Sequence, residues 1–378
     1  MSKLQALLQQ GENNAVEFKS ANVSSDGLAR EIVAFANTSG GSILIGVEDD
    51  GKITGIANPP QMEEWVANIC RQNIVPPIQV AINIEKEGIL DVLHIEVPKG
   101  KDKPYQTIKN QYLIRVGSTN RIASQHELLR LFQQAGVFHF DGTGVPKTTI
   151  DDLNWSKLGR YFEQYSVDYS RESDKERLLI NTDIMTPEGE VTVAGLLVFG
   201  IHPQKYLHNA SISFAHFVEN GLDDTLLDKQ VIEGTLDYQI DTCLATIKNN
   251  IQAPSQIQGA KTVPTRFLYP DKVFREIIVN ACLHRNYAIS GSRIRVFLFN
   301  DRLEVRSPGR LPNTVTIEKM KAGVSYASNP ILLKFMENLR YIDKLGRGIP
   351  MVNQIAQKNN KTLHLEETGE EFALIITL

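Results

Sequence analysis

Hydrophobic and polar positions along the first third of the chain change repeatedly from helical spacing to strict alternation and back. Residues 15–20 alternate as in a half-buried strand, and Gly40-Gly41 end the helix that follows. Residues 42–56 place an Asp-Gly pair between two apolar runs, which predicts a hairpin. The whole pattern predicts helices at 3–9, 24–41, 63–72 and 125–134, with further strands at 78–87, 89–100 and 111–117. We therefore expect an α+β domain over residues 1–135.

The remaining two thirds contain longer apolar elements. Residues 136–150 are rich in glycine and proline and are interpreted as a linker. A middle α/β region is expected at 151–262, followed by a further domain at 263–378. The elements predicted for the middle region are a helix at 153–165, a buried strand at 192–200, a strand at 210–218, an amphipathic helix between Ile232 and Ile251 and a break at 252–266. Those of the last region are a helix at 271–287 and hairpins at 292–309 and 362–378.

Composition narrows the class of protein. The formal net charge is −4, so any surface that binds nucleic acid has to be a local patch rather than the whole protein. The apolar runs are too short to span a bilayer and no secretory signal is visible, so we expect a cytoplasmic protein without a membrane partner. Cys70, Cys243 and Cys282 are odd in number and widely spaced, which predicts reduced thiols.

Three acidic residues near the start are candidate metal ligands. Glu12 and Glu17 flank the beginning of the first predicted strand, and Asp49 follows the apolar run "GSILIGV". Carboxylates that converge there would suit Mg²⁺ or Mn²⁺, which prefer oxygen ligands and can activate water. The alternative is that Glu17 pairs with Lys19 on a solvent-exposed face and that Asp49 only forms the turn.

The segments "GENNAVEFKS", "IVAFANTSGGSILIGVEDDGKITGI" and "KPYQTIKNQYLIRVGSTN" resemble the AlbA-like domain of Schlafen proteins, over residues 10–132. The resemblance implies an α+β nucleic-acid-binding domain. In nuclease members, acids that match Glu12, Glu17 and Asp49 are catalytic and hold a divalent metal. The basic residues expected along the phosphate backbone are Lys19, Lys109, Arg115 and Arg121.

The segment "REIIVNACLHRNY" places Glu276 and Asn280 four residues apart, on one face of a helix. Residues 274–378 resemble a divergent branch of the GHKL ATPases, which are α/β sandwiches. The resemblance implies that ATP or a related nucleotide binds, that Asn280 is a Mg²⁺ ligand and that Glu276 activates water. It also implies nucleotide contacts from Ser307, Gly309, Asn329, Gly346 and Gly348.

This C-terminal segment departs from the superfamily in one motif. Ser307 stands where an aspartate normally contacts adenine, and Pro308-Gly309-Arg310 is not a Gly-x-Gly. ATP would then bind weakly, bind differently or be replaced by another nucleotide, or the fold would serve dimerisation alone. His284 is a candidate base, with a structural role as the alternative. The chain has no G-x-x-x-x-G-K-[ST] motif, so we do not expect a helicase.

The sequence as a whole favours a nucleotide-responsive nucleic-acid-binding protein that acts in regulation or in defence against foreign genetic elements. Two alternatives stay open: a divalent-metal-dependent endonuclease, acting on RNA and gated by the C-terminal module, and a scaffold without catalysis. We also expect at least a homodimer, because GHKL relatives commonly pair and two-fold pairing is the commonest assembly. The apolar face of the helix between Ile232 and Ile251 could pack within or between chains.

Overall fold

The computed structural model describes residues 2–378 apart from 223–224, 252–254, 259–260, 265–268, 314, 325 and 343–345, and for 255–258 and 261–264 it describes the backbone alone. The chain divides into two units, Met1–Phe138 and His139–Leu378. Among the described residues, no helix is long and apolar enough to cross a bilayer. The three cysteines are buried and form no disulfide.

The first unit is built on a four-stranded sheet in the order β1-β2-β5-β4, in which only β1 and β2 are parallel. Its helices are α1 (Lys3–Gln10), α2 (Ser25–Asn37), α3 (Pro59–Gln72) and α4 (Gln125–Gln134). Its strands are β1 (Val16–Lys19), β2 (Gly41–Ile45), β3 (Ile74–Val75), β4 (Ala81–Glu87), β5 (Leu90–Val97), β6 (Gln106–Thr107), β7 (Leu113–Val116) and β8 (Thr119–Ile122). The predicted α+β class is confirmed.

Helix α2 connects the two parallel strands and supplies much of the core of the first unit. The Ser24 side chain caps it by accepting a hydrogen bond from the Gly27 N–H. Its helically spaced apolar residues, among them Ile32 and Phe35, are fully buried. Gly40 follows with φ of 78°, and a Cβ there would lie 2.6 Å from the Val97 carbonyl oxygen. A glycine is therefore required where the chain turns from α2 into β2.

The hairpin predicted at 42–56 forms only in part. Strand β2 ends at Ile45, and beyond it the two arms meet in an isolated bridge between Val47 and Ile53. The carbonyl of Gly46 accepts from the N–H groups of Thr54 and Gly55, which folds the segment into a tight loop. Asp49 lies exposed in that loop.

The second unit is built on a six-stranded sheet in the order β10-β9-β13-β14-β16-β15, with β9 and β13 parallel and the other pairs antiparallel. Its helices are α5 (Trp155–Glu163), α6 (Lys175–Asn181), α7 (Val193–Phe199), α8 (Leu236–Asn250), α9 (Asp271–His284), α10 (Ile317–Lys321), α11 (Pro330–Asn338) and α12 (Gly348–Lys358). Its strands are β9 (Ile212–Phe217), β10 (Leu226–Ile232), β11 (Ser255–Gln258), β12 (Lys261–Pro264), β13 (Ile294–Leu298), β14 (Arg302–Pro308), β15 (Leu363–Thr368) and β16 (Glu371–Thr377).

This sheet joins the two regions that the sequence separated at 262/263. Strands β9 and β10 come from the expected middle region, and β13 to β16 come from the expected C-terminal domain. Residues 139–150, interpreted as linker, also belong to the second unit. The reason is that β9 pairs directly with β13, so the two regions share backbone hydrogen bonds as well as a core.

Two elements of the second unit differ from the prediction. Residues 193–199 form helix α7 rather than a buried strand, and the Thr192 hydroxyl caps it by accepting from the Gly195 N–H at 2.9 Å. Every residue of α7 is buried, so no polar face marks its helical period, and a short apolar run does not distinguish the two structures. Within the predicted break, β11 and β12 form a hairpin; residues 252–254, 259–260 and 265–266 lie outside the described residues.

The long helix starts later than predicted. Ile232 ends strand β10, and α8 runs from Leu236 to Asn250. Gly234, at φ of 104°, lies between the two elements. The apolar side of α8, including Ile240 and Ile247, is buried inside the second unit. The face that suggested pairing between chains is therefore used internally.

We expect Gly195→Ala to destabilise the second unit, although alanine is the better helix former. A Cβ at Gly195 would lie 2.3 Å from the backbone oxygen of Ile184, which cannot move alone. The expected loss is roughly 1–3 kcal/mol in the free energy of unfolding. Urea denaturation followed by Trp155 fluorescence, in a Trp65→Phe background, measures this unit.

The matched control is Gly159→Ala in α5, where a Cβ would meet nothing within 4 Å. It should stabilise by about 0.5–1 kcal/mol, because alanine restricts the unfolded chain. Equal effects of the two substitutions would contradict the packing described for α7.

Candidate functional site

Arg115 is the central polar residue of the first unit. Its side chain is 1% exposed, and its Nη2 donates to Glu17 Oε2 at 2.6 Å and to the Asn13 carbonyl at 2.7 Å. The guanidinium also donates to the Val16 carbonyl and lies 4.7 Å from the ring centroid of Phe35. Arg115 therefore holds β7 against β1 and α2. It was predicted to contact phosphate, and its burial contradicts that role.

Two carboxylates and a lysine complete this buried cluster. Glu31 on α2 accepts from Arg115 at 3.3 Å and from the Asn120 amide at 2.5 Å. Burial raises the pKa of the Glu31 carboxyl, and the nearby Glu17 raises it further. Burial alone would lower the pKa of Lys19, but its contacts with Glu17 and Glu31 raise it. Glu31 was not predicted from the sequence, because an acidic residue beside the apolar stripe of a helix is ordinary and does not indicate a buried cluster.

The predicted metal ligands are not assembled. Glu12 accepts a hydrogen bond from the Phe18 N–H at 3.1 Å, and Glu17 is neutralised by Arg115 and Lys19. Asp49 lies in the exposed loop after β2. Among the described residues, no group of three or more His, Cys, Asp and Glu side chains is placed to hold a metal ion. The structure therefore does not bring Glu12, Glu17 and Asp49 together as one group, and an arginine of the chain satisfies Glu17 instead.

The other predicted phosphate contacts lie at the surface of the first unit. Lys109 is 61% exposed and pairs with Asp26 at 3.1 Å. Arg121 is exposed on β8. Lys19 is only 23% exposed and is held by the buried carboxylates. Of the four basic residues, Lys109 and Arg121 have the accessibility that a phosphate contact requires.

The second unit contains a cavity of about 380 Å³ beside α9. Its walls come from α9, β14, the loops that follow β14 and precede α11, and the start of α12. The apolar lining residues include Ile277, Leu283, Val305, Leu311, Val315, Met320, Leu333, Ile349 and Leu374. The predicted residues Glu276, Asn280, Ser307, Gly309, Gly346 and Gly348 also line it. The fold thus brings six residues from distant parts of the chain to one apolar cavity.

Glu276 and Asn280 face each other along α9. The Asn280 amide donates to the Glu276 carboxylate at 2.6 Å and to its backbone carbonyl at 2.7 Å. Gly348 opens α12 directly against this pair, because a Cβ there would lie 1.5 Å from Glu276 Oε1. Any side chain at Gly348 would displace the carboxylate.

Two further predicted residues mark the opposite wall. The Ser307 hydroxyl donates to the Ala281 carbonyl at 2.9 Å, which ties β14 to α9. Gly309 follows at φ of 128°, and a Cβ there would lie 3.0 Å from Asn286 Cβ. His284 also lines the cavity, and burial lowers its pKa to about 4, so the imidazole is neutral near pH 7.

Asn329 does not line the cavity, contrary to its predicted contact with a nucleotide. It is buried, and its amide donates to the carbonyls of Leu283 and Arg285, both at 2.8 Å. The residues just before it, Tyr326, Ala327 and Ser328, do line the cavity. We name this stretch of three residues the wall loop. Asn329 fastens the wall loop to the end of α9.

A second cleft of about 500 Å³ adjoins the cavity and shares Glu276, Ile342 and Gly348 with it. Its cationic lining residues are Lys272, Arg275, Arg340 and Arg347. The Arg275 guanidinium donates to the Arg340 carbonyl at 2.6 Å and lies over the Tyr341 ring. We name it the basic cleft. The sequence did not identify these cations, because they come from three separate elements.

We expect Arg115→Ala to destabilise the first unit by about 3–5 kcal/mol, because it leaves the Glu17 carboxylate buried without its main partner. Urea denaturation followed by Trp65 fluorescence, in a Trp155→Phe background, isolates this unit. The control Lys109→Ala breaks only an exposed ion pair and should change the free energy of unfolding by less than about 1 kcal/mol. A small effect of Arg115→Ala would contradict the structural role assigned here.

Comparison with known proteins finds two family models that match separate parts of the chain. The model of the family "Schlafen, AlbA_2" matches residues 12–124. The model described as "Putative ATP-dependent DNA helicase recG C-terminal" matches residues 291–376. No curated protein matches the chain.

Two solved structures are similar in part. The DIP2311 protein from Corynebacterium diphtheriae is 21% identical with a TM-score of 0.48, covering 99% of this chain and 68% of that one. The N-terminal domain of a RecG-related protein from Nitrosomonas europaea is 22% identical with a TM-score of 0.27, covering 33% of this chain and 92% of that one. The two family matches carry the assignment: the chain has a Schlafen AlbA_2 domain at its N-terminus and an ATPase-like domain of the RecG C-terminal family at its C-terminus.

Proposed function

We propose that this chain is a nucleotide-responsive nucleic-acid-binding protein that acts in regulation or in defence against foreign genetic elements. The observation that carries the proposal is the cavity of the ATPase-like unit. Glu276 lies at the boundary between this apolar space and the basic cleft, and Asn280 is hydrogen-bonded to it. The Schlafen AlbA_2 domain on the same chain supplies the nucleic-acid-binding part.

The chemistry of the two spaces suits the two halves of a nucleotide. Apolar walls such as Val305 and Ile349 favour a flat base and exclude water. The cations of the basic cleft favour phosphate groups, which bind most strongly to charged donors. The ligand proposed for the cavity is ATP or a related nucleotide. Ser307 stands at the position of the aspartate that normally contacts adenine. We therefore do not expect the cavity to select strictly for adenine.

Asn280 is the residue that we propose as a ligand for a divalent cation. An amide oxygen and phosphate oxygens are ligands that Mg²⁺ or Mn²⁺ prefers. The bound ion would neutralise phosphate charge beside the Glu276 carboxylate. Glu276 is then the candidate base for hydrolysis, because its carboxylate lies against Asn280 in the wall of the cavity.

Nucleic acid is assigned to the exposed basic residues of the first unit. Lys109 and Arg121 are the predicted contacts that solvent can reach. The net charge of −4 requires such a local patch. The endonuclease alternative loses its support, because Glu17 is engaged by Arg115 and no metal group is formed among the described residues.

ATP with Mg²⁺ should raise the melting temperature of the full chain. At a concentration near 100 Kd the stabilisation is about 2.7 kcal/mol, equivalent to roughly 5–10 °C for a unit of this size. Asn280→Ala should abolish the shift while the apo melting temperature shows that the protein is folded.

Lys272→Ala should reduce the shift for ATP more than for adenosine, because it removes a cation of the basic cleft. The matched control Lys334→Ala removes a cation from α11 that pairs with Asp183 instead, and it should leave the shift unchanged. If none of ATP, GTP, CTP and UTP shifts the melting temperature at millimolar concentration, the ATPase-like unit has only a structural role.

The full chain should bind labelled DNA or RNA with an affinity that falls as salt rises, because phosphate contacts release counterions. The reversals Lys109→Glu and Arg121→Glu should weaken binding across sequences, and each should lower the salt slope by about 1. Filter binding at several salt concentrations measures both.

The matched control is Lys86→Glu. Lys86 is 76% exposed on β4, the strand at the opposite edge of the sheet from β1. Weakening by Lys86→Glu as large as that by Arg121→Glu would show a non-specific charge effect and refute this patch. Mn²⁺-dependent cleavage of either probe would favour the endonuclease instead.

A further inference from the structure

Asp141 is a buried acid that no part of the proposed chemistry uses. It lies in the 3₁₀ turn Phe140–Gly142, just after the last residue of the first unit, and it has no solvent exposure. Its Oδ2 accepts from the N–H groups of Ile331 and Leu332 at 2.8 and 3.0 Å. These are the first N–H groups of α11 after Pro330, so the carboxylate caps that helix.

Two neighbours of Asp141 reach the same part of the second unit. The His139 ring hydrogen-bonds through Nδ1 to the Ser328 carbonyl at 3.3 Å. Gly142 packs closely on α11, since a Cβ there would lie 2.9 Å from Ile331 Cδ1. Residues 139–142, which we name the connector, thus contact both the wall loop and the helix that follows it.

The wall loop is therefore held from two sides. Asn329 ties it to the carbonyls of Leu283 and Arg285 at the end of α9, the helix that carries Glu276 and Asn280. The connector holds it through His139 and Asp141. A ligand that moves the wall loop has to move both attachments or break one of them.

The cap on α11 makes this attachment sensitive to small shifts. The second oxygen of Asp141 has no hydrogen-bond partner among the described residues, and burial raises the pKa of this carboxyl. The buried carboxylate thus depends on its two bonds to α11, and a displacement of that helix leaves it unsatisfied.

We propose that His139 and Asp141 are positioning residues that couple the occupancy of the cavity to the connector, and so to the chain entering from the nucleic-acid-binding domain. This inference rests on the proposed function and deepens it, because it names the route by which a nucleotide would alter nucleic-acid binding. The coupling runs through two hydrogen-bonded attachments, His139 to Ser328 and Asp141 to the start of α11, rather than through proximity alone.

The first test needs no ligand and uses hydrogen exchange on the full chain. Asp141→Asn should speed exchange at 326–333 at least about fivefold. It replaces the negative charge at the start of α11 with a neutral amide, and it buries an NH2 group at a position without an acceptor. Asn329→Ala should in turn speed exchange at 140–145, since coupling is reciprocal. His139→Ala gives a milder version of the first change if Asp141→Asn does not fold.

The matched control is Asp183→Asn. Asp183 pairs with Lys334 of α11 through an exposed contact at 3.1 Å, away from the helix start. Its φ of 65° is one that asparagine tolerates. It should leave exchange at 326–333 unchanged. The inference would be overturned if Asp141→Asn changed exchange only around residue 141 and Asn329→Ala changed it only around residue 329.

The second test measures linkage. The ratio of nucleic-acid Kd values without and with ATP should fall towards 1 in Asp141→Asn and stay at the wild-type value in Asp183→Asn. A ratio that stays at the wild-type value in both variants would also overturn the inference. If wild-type protein binds neither ATP nor nucleic acid, the proposed function fails, and the exchange experiment still decides whether the connector is coupled to the wall loop.

Discussion

A buried charge has to be matched where it is buried, and in each unit one such match joins segments that are far apart in the sequence. In the first unit, Arg115 donates to Glu17 and to the backbone carbonyls of Asn13 and Val16, which fixes β7 against β1. In the second unit, the Asp141 carboxylate meets the start of α11. Each contact joins segments that are far apart in sequence, so each defines tertiary structure rather than a local element.

The same rule decides how the acidic residues of the first unit are interpreted. Carboxylates close together repel unless a cation lies between them, and both a metal and an arginine meet that requirement. Here the cation is part of the chain. Glu17 and Glu31 are consequently held within the cluster around Arg115, and the exposed cations on the loops and on β8 are the residues that we propose for contact with nucleic acid.

The sequence predicted local structure more successfully than long-range pairing. Helices such as α2 and α4 carry capping residues and apolar stripes, so their positions could be inferred. Helix α7 could not be distinguished from a strand, because it has no polar face. Glu276, Asn280, Ser307 and the glycines line one cavity, whereas Asn329 follows the last residue of the wall loop and does not line it. Arg115 was expected at the surface, because the residues next to it in the sequence do not indicate that it is buried beside Glu17.

The family match and the structural unit have different limits, because β13 pairs with β9, a strand that lies outside the match. The ATPase-like match begins at residue 291, yet its first strand completes its hydrogen bonds only with a strand that ends at Phe217. A fragment that starts at the family boundary would expose an open sheet edge and half of a shared core. The two stretches therefore belong to one structural unit, residues 139–378, which extends well beyond the matched segment.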